Sequence, residues 1–396
     1  MNFDKIKNLS ELSLTDIIRA EYVKTVWEAN NIYETDPDLG EALFPAEQTA
    51  RRDVTTILGK DRMPRMLEPS AYDTKPSMRD RIGFAEIKHD MMFFREGRRL
   101  GEEEAMEINR ILKFGEPKMA ELAVKKVYDD LAQLIMGGRK RIEQMRMQML
   151  INARIRVVGK AENGRTAQMD IVYDYDGEWA KNNNIVVSGT DQWTPENAKT
   201  AKPMQTLVNL IDNIGATTGK RPTNLYLNSK TFNDMLTADE IRTFFTPIYG
   251  DNMVLSLEMK KQKFQEQTGI TPIIYDKMYE NDMAKIVKYI PDGIAILSPD
   301  GALGKTYFGE NPEDVFYGSL PSNKSVSRVG EGYTVLTTTE VIPPSVMGTV
   351  SATMLPSYDN MNEVYIIKQE YAVEADEYGL GGKAKADTEE GTGAGE

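Results

Sequence analysis

The stretch from Glu116 to Asn152, EPKMAELAVKKVYDDLAQLIMGGRKRIEQMRMQMLIN, constrains this chain more than any other. Apolar residues recur at Met119, Ala123, Val127, Leu131, Leu134, Ile142, Met145 and Met149. Their spacing of three, four and, across a glycine pair, eight residues is helical and draws one apolar stripe down one face. Pro117 stands where a first helical turn accepts proline, because an N–H there has no helical partner in any case. At roughly 1.5 Å per residue such a helix runs about 50 Å. That is longer than a compact domain needs, so the helix is expected to lie across the molecule. Gly137 and Gly138 interrupt it, each costing about 1 kcal/mol against alanine. They point to a bend or to close packing by a neighbouring element. A coiled-coil arm or bundle helix is the alternative, but no strict heptad persists and strand-like sequence follows at once.

The composition removes several kinds of chemistry. The chain has 396 residues, enough for a sizeable core and more than one domain. It has no cysteine, which excludes a disulfide, a thiolate nucleophile or a cysteine metal site. Its one histidine is His89, so Ser-His-Asp catalysis or histidine metal binding would rest on that residue alone. The formal charge of −13 gives a surface repelled by nucleic-acid phosphates. No apolar run approaches the roughly 18 residues of a membrane span. Met1 to Ser10 is polar and unlike a signal peptide, so synthesis in the cytoplasm is expected.

Along the chain, Ser13 and Asp16 read as the start of a surface helix carrying Ile17, Ile18, Tyr22, Val23 and Val26. The connector that follows contains Pro45 as a breaker and VTTIL as a short strand. Pro64, Pro69 and Pro76 precede RDRIGFAEIKHDMMFFREGRRL, which reads as an extended two-stranded excursion with His89 exposed between Lys88 and Asp90. Such an excursion is marginal alone in water, and it is expected to rest on another copy of the chain. GEEEAMEINRIL then reads as a short acidic helix. After the long helix, Arg154 to Val158 and Gln168 to Tyr173 flank Asn163-Gly164, a strong hairpin turn signal.

From about Pro195 helices and strands alternate. A helix from Ala201 to Ile214 is expected to end at Gly215. NLYLN reads as a strand, Ser229 as the cap of KTFNDML, and MVLSLEMKKQKFQEQT as a helix stopped by Gly269. ITPIIYD, IVKYI and GIAILSP read as further strands of an α/β domain ending near Ser319. Val335, Thr337 and Thr339 alternate with Leu336 and Thr338 in a return to strand, and Val364 to Ile367 is another. Residues 372 to 396 are acidic and glycine-rich and are expected to be disordered.

Three local patterns invite a chemical reading and lose to a structural one. Gly301-Ala-Leu-Gly304-Lys305-Thr306 resembles a phosphate loop, but that motif needs a glycine where Pro299 stands. A turn between strands accounts for it. Asp174, Asp176 and Glu178 resemble part of a calcium loop, but the later ligands and the central glycine spacing fail. Arg139-Lys-Arg141 and Arg51-Arg52 read as salt-bridging surface in so acidic a chain. No paired carboxylates stand out as acid and base, and no catalytic, cofactor or metal residue is assigned.

Two stretches together resemble the lambda-type major capsid protein E family of tailed bacteriophages: DYDGEWAKNNNIVVSGTDQWTPEN (174 to 197) and YIPDGIAILSPDGALGKTYFG (289 to 309). The end, VIPPSVMGTVSATMLPSYDNMNEVYIIK, is similar as well, and the order of elements matches from about Ser13 to Lys368. The resemblance implies an α+β, Hong Kong 97-like capsid fold. It implies an N-terminal arm (1–60), an extended E-loop (61–115), a peripheral domain with a spine helix (116–195 and 335–371) and an axial α/β domain (196–334). The acidic tail (372–396) lies outside the family pattern.

The function implied is that of a major capsid protein, forming hexamers and pentamers in an icosahedral shell around double-stranded DNA without reading its sequence. Scaffolding, portal and decoration proteins are the partners it implies; the virion is the location, after assembly in the host cytoplasm. In the E-loop, Arg79, Asp80 and Arg81 are the candidate inter-subunit contacts. The competing readings are an encapsulin-type shell and a soluble α/β enzyme acting on an anionic substrate.

Overall fold

A computed structural model describes residues 19–29, 37–59, 84–160, 166–243, 256–281, 285–316, 324–341 and 344–374. The expected cap at Ser13 and Asp16, the Asn163-Gly164 turn and almost all of the acidic tail lie outside these residues.

The chain opens with α1 (Ala20–Ala29), the short α2 (Leu39–Leu43), β1 (Ala46–Gln48) and β2 (Asp53–Gly59). Next come β3 (Phe84–Asp90), β4 (Met92–Leu100), the acidic α3 (Glu102–Phe114) and the spine helix α4 (Pro117–Asn152). Pro117 occupies the first turn of α4, as its missing N–H allows. The helix stops at Ala153, the one non-glycine residue with a left-handed backbone among those described (φ 49°). Its N–H donates to the Met149 carbonyl at 2.8 Å, and its carbonyl accepts from Tyr173 N–H at 2.8 Å. The residue is fully buried, and the chain turns there straight into a strand.

That strand is β5 (Arg154–Lys160), paired antiparallel with β6 (Thr166–Val172) as the expected hairpin. The α/β part comprises α5 (Glu178–Asn183), β7 (Asn184–Val187), α6 (Pro203–Thr218), β8 (Asn224–Leu227), α7 (Ser229–Leu236), α8 (Leu257–Thr268), β9 (Thr271–Ile274), β10 (Met278–Glu280), β11 (Ile286–Lys288) and β12 (Ile294–Ser298). The chain finishes with β13 (Thr306–Phe308), α9 (Pro312–Val315), β14 (Lys324–Val329), β15 (Tyr333–Val341), β16 (Pro344–Pro356), β17 (Tyr365–Gln369) and α10 (Glu370–Glu374).

Two sheets organise the molecule. The six-stranded one runs β1-β13-β16-β15-β14, with β4 on the other side of β16. The five-stranded one runs β7-β17-β12-β8-β9. Residue alternation buries both faces of the latter. Leu225, Leu227, Ala295, Leu297 and Ile367 pack with the helices α6, α7 and α8. Tyr226, Ile296 and Ile366, on the opposite face, join the core that holds the spine helix and the six-stranded sheet. Every residue of β12 is buried, as expected for a strand covered on both sides.

Several expectations change. α6 runs through Gly215, which is not among the left-handed glycines, to Gly219, which is left-handed and whose N–H donates to the Gly215 carbonyl at 3.0 Å. Asn228, not Ser229, caps α7: its side chain accepts from Thr231 N–H at 2.8 Å. The connector before VTTIL carries α2 and β1, the latter pairing in parallel with β13. The stretch read as one two-stranded excursion divides. β3 pairs with β2, and β4 instead joins the six-stranded sheet along β16. Strand pairing also crosses the boundaries drawn from sequence: β17 completes the sheet of β8 and β12, while β13 and β14 pair in the sheet of β15 and β16.

The glycine pair in α4 proves unequal. A Cβ on Gly138 would come 2.6 Å from the Tyr333 ring, whereas one on Gly137 would meet nothing within 4 Å. Gly137→Ala is therefore expected to stabilise the protein by up to about 1 kcal/mol through helix propensity alone. Gly138→Ala should destabilise it, because the added Cβ would clash with the buried Tyr333 ring and force it to shift. Urea unfolding of both variants checks the pair; equal effects would show that Tyr333 does not press on the helix.

Candidate functional site

The extended hairpin is built on β2 and β3, which among the described residues pair only with each other. Their register places Val54 opposite His89 and Asp53 opposite Asp90. The root is fastened from several directions. Lys88 Nζ lies 3.2 Å from Asp53 Oδ2, and Met91 N–H donates to the Arg52 carbonyl at 2.8 Å. Val54 is buried.

His89 is buried as well, at 9% exposure, which corrects the expectation of an exposed residue. Its ring lies 5.3 Å from that of Tyr173 and stacks at 10° on that of Tyr175, 6.0 Å away. Its Nε2 has no hydrogen-bond partner. Burial lowers its pKa, and the Asp90 carboxylate opposes that shift. Strand period held the signal: Lys88 and Asp90 face water, so the residue between them faces inward. Arg79, Asp80 and Arg81 lie outside the described residues.

Exposed apolar side chains gather where α3 meets α4: Met106 (72%), Phe114 (85%), Met119 (52%) and Leu122 (60%). The expected stripe holds from Val127 to Met149, all buried at its apolar positions, and fails at Met119. There the helix has left the core.

The strand β4 presents three arginines. Arg95 pairs with Glu313 and sits over the Phe93 ring at 4.8 Å. Arg98 pairs with Asp130 of α4, and Arg99 lies 3.9 Å from Glu340. Arg139 of α4 pairs with Glu41 at 2.9 Å, as the salt-bridging reading of that basic patch requires.

A buried polar node joins α4 to α2 and β13. Glu143 and Arg146 are 0% and 3% exposed. Glu143 Oε1 accepts from Gly40 N–H and from the Tyr275 hydroxyl, both at 2.9 Å. Its Oε2 lies 3.6 Å from Arg146 Nη1. Arg146 Nε donates to Thr306 Oγ1 at 2.9 Å, and that hydroxyl donates to the Phe44 carbonyl. Burial pushes the Glu143 pKa up, with Arg146 the largest opposing influence. Sequence patterning did not single out this node, since both residues sit among apolar ones on a helix read for its hydrophobic stripe.

The patterns with a chemical look have structural employment. Asp174 accepts from the N–H groups of Trp179 and Ala180, and Asp176 from that of Glu178, so these carboxylates satisfy the start of α5. A Cβ on Gly304 would fall 2.1 Å from the Ser357 carbonyl, so this glycine permits a close approach of two chain segments. Among the described residues no group of acids and histidine could hold a metal, and no helix is long and apolar enough to cross a membrane.

Residues 25–320 match the model of the family described as phage major capsid protein E. Among solved structures, the chain is similar to one assigned as the capsid protein of an Escherichia coli CFT073 prophage. The TM-score is 0.51 and identity 10%, over 89% of this chain and 99% of that one. A phage-related protein from Bordetella bronchiseptica RB50 aligns at a TM-score of 0.48 and 13% identity, over 89% of this chain and 97% of that one. No curated protein sequence matches the chain. With a family match spanning well over half its length on a Hong Kong 97-type fold, the chain belongs to the phage major capsid protein E family and is a structural, non-enzymatic protein of the capsid shell.

Proposed function

We propose that this chain forms the hexamers and pentamers of an icosahedral phage head enclosing double-stranded DNA. The observation that carries the reading is the β2–β3 hairpin, which pairs with neither large sheet among the described residues. A two-stranded hairpin is marginal by itself, and a shell subunit gains from projections whose contacts form only on assembly. Cyclic capsomers require head-to-tail contacts between different surfaces of identical subunits. A projecting arm on one side and a receiving surface on the other meet that need.

The division into N-terminal arm, E-loop, peripheral domain and axial domain belongs to the same proposal. So do scaffolding, portal and decoration proteins as partners, and assembly in the host cytoplasm. The net charge of −13 supports a wall that contains DNA without gripping it, since an acidic surface offers phosphates few counter-charges. Electron microscopy of the purified protein tests the reading. Closed particles tens of nanometres across are expected; a monomer or dimer under every assembly condition would overturn it.

The segment carrying Arg79, Asp80 and Arg81 is proposed to contact a neighbouring subunit. Deleting Lys75 to Arg81 is expected to leave the circular dichroism and melting of the free subunit nearly unchanged, while particle yield falls sharply. Reversing the charges of Arg79 and Arg81 should do the same in a salt-dependent way, because exposed charges are screened over about 10 Å at 0.1 M salt. Normal particle yield from the deletion, or an unfolded subunit, would refute the assignment.

A further inference from the structure

The hairpin root contains the chain's only histidine, at a place the capsid role does not explain. His89 stands on β3, within two residues of where that strand gives way to β4. Its ring is caught between Tyr173, which follows β6, and Tyr175 in the loop beyond. Tyr173 is itself anchored, its hydroxyl donating to the Pro356 carbonyl at 2.5 Å at the end of β16. The imidazole is thus one of the points, with the buried Val54 opposite it, at which the hairpin is seated on the body of the subunit. Its Nε2 is enclosed and has no acceptor within reach. A neutral ring needs no partner at a nitrogen lone pair as urgently as a charged one needs an acceptor for its N–H.

We propose that His89 is an acid-operated latch, seating the root of the β2–β3 hairpin on the Tyr173–Tyr175 segment when neutral and releasing it when protonated.

The charged groups around it do not supply a counter-ion. Asp90, the next residue on the strand, acts on the ring from the solvent side, and its attraction is outweighed by burial. On β2, Asp53 is engaged by Lys88. In the tyrosine loop, Asp174 is held by the amides of α5. Asp359, close enough to influence Tyr173, has its own pKa raised, chiefly by desolvation. Tyr173 is fully buried and its pKa is raised, so it stays neutral and offers no charge.

The sign follows from linkage. The folded state holds His89 below the ordinary imidazole value of about 6.5. Its contribution to stability is therefore complete above that value and is lost as pH falls through the lowered folded value. The release is expected to be local, because the rings against His89 are those of Tyr173 and Tyr175, whereas α6, α7 and α8 pack in a separate core with the other face of the five-stranded sheet.

A chain with one histidine makes the test direct. With 13C-labelled histidine the full-length protein gives a single imidazole resonance, followed from about pH 8 to pH 5. A midpoint below that of free imidazole side chains is expected. Over the same range, amide exchange in 53–59 and 84–90, corrected for the intrinsic effect of pH, should rise several-fold. Exchange in 224–227 should stay level. His89→Phe keeps an aromatic ring but cannot be protonated, and should abolish the rise. A midpoint at or above the free value, or the same acid-dependent rise in His89→Phe, would overturn the latch. If that variant does not fold, the wild-type titration and the contrast between the two sets of amides decide the matter alone: equal exchange in both would sink it.

Discussion

Leu131→Ala is expected to destabilise the subunit by about 2–5 kcal/mol, the range for truncating a buried leucine. Leu131 is 4% exposed on the inner face of α4. A Cβ on Gly348 of β16 would lie 2.2 Å from Leu131 Cδ2, so the leucine fills the space left by a missing side chain on the sheet. Gly348→Ala alone should overpack that contact at about 1–3 kcal/mol. The two changes are complementary, one opening space and the other filling it. The double variant should lose less than the sum of the singles, a coupling measurable in a double-mutant cycle by urea unfolding. Additive losses would show that the helix and sheet do not meet there. Leu134→Ala should fall in the same range as Leu131→Ala, and Lys126→Ala, on the exposed face, should cost under about 0.5 kcal/mol. Equal costs on both faces would mean that the buried side of the helix has been misread.

Arg146→Met should cost about 3–5 kcal/mol, because removing one member of a buried ion pair leaves the other charge uncompensated. Glu143 is fully buried and keeps only the Gly40 amide and the Tyr275 hydroxyl as donors. Gly40 cannot be replaced to make room: a Cβ there would lie 2.4 Å from Glu143 Oε2. Glu143→Gln combined with Arg146→Met removes the charge and should recover part of the loss. The single variant also carries a pH signature. Burial already raises the Glu143 pKa, and Arg146 is the largest influence holding it down. Without the arginine the folded value rises further. A carboxyl with a raised folded pKa stabilises at low pH and loses that contribution as pH rises through the folded value. The deficit of Arg146→Met should therefore shrink on acidification. A deficit that is flat or grows toward acid would show that the carboxylate is compensated by some other group.

Local pattern alone determined the elements whose cause is local. The spine helix from Pro117 to Asn152 follows from apolar spacing and a proline at its start, and β5 with β6 follow from two apolar runs about a turn. The stop of α8 at Gly269 follows from a glycine free to turn left-handed. The family resemblance likewise rests on local stretches, 174 to 197 and 289 to 309, which is why the capsid fold is legible in the sequence. Even the burial of His89 was available, since a strand puts alternate residues on opposite faces.

Tertiary structure decided whatever depends on a partner distant in sequence. A strand's two edges carry the same N–H and C=O groups, so sequence reported that β3 and β4 are extended but not that one pairs with β2 and the other with β16. The same holds for β17, which follows the six-stranded sheet in the chain and is hydrogen-bonded into the other. Gly137 and Gly138 are identical to any propensity argument, and only the position of Tyr333 separates them. Met119 fits the apolar period, but a period marks a face and not what covers it, and at that end of the helix Met119 is left 52% exposed. Nothing in the local pattern singles out Glu143 and Arg146, two charges one turn apart on the helix. They are buried because α2, β13 and Tyr275 converge on that turn from positions 103, 160 and 132 residues away, and that convergence is a property of the folded chain.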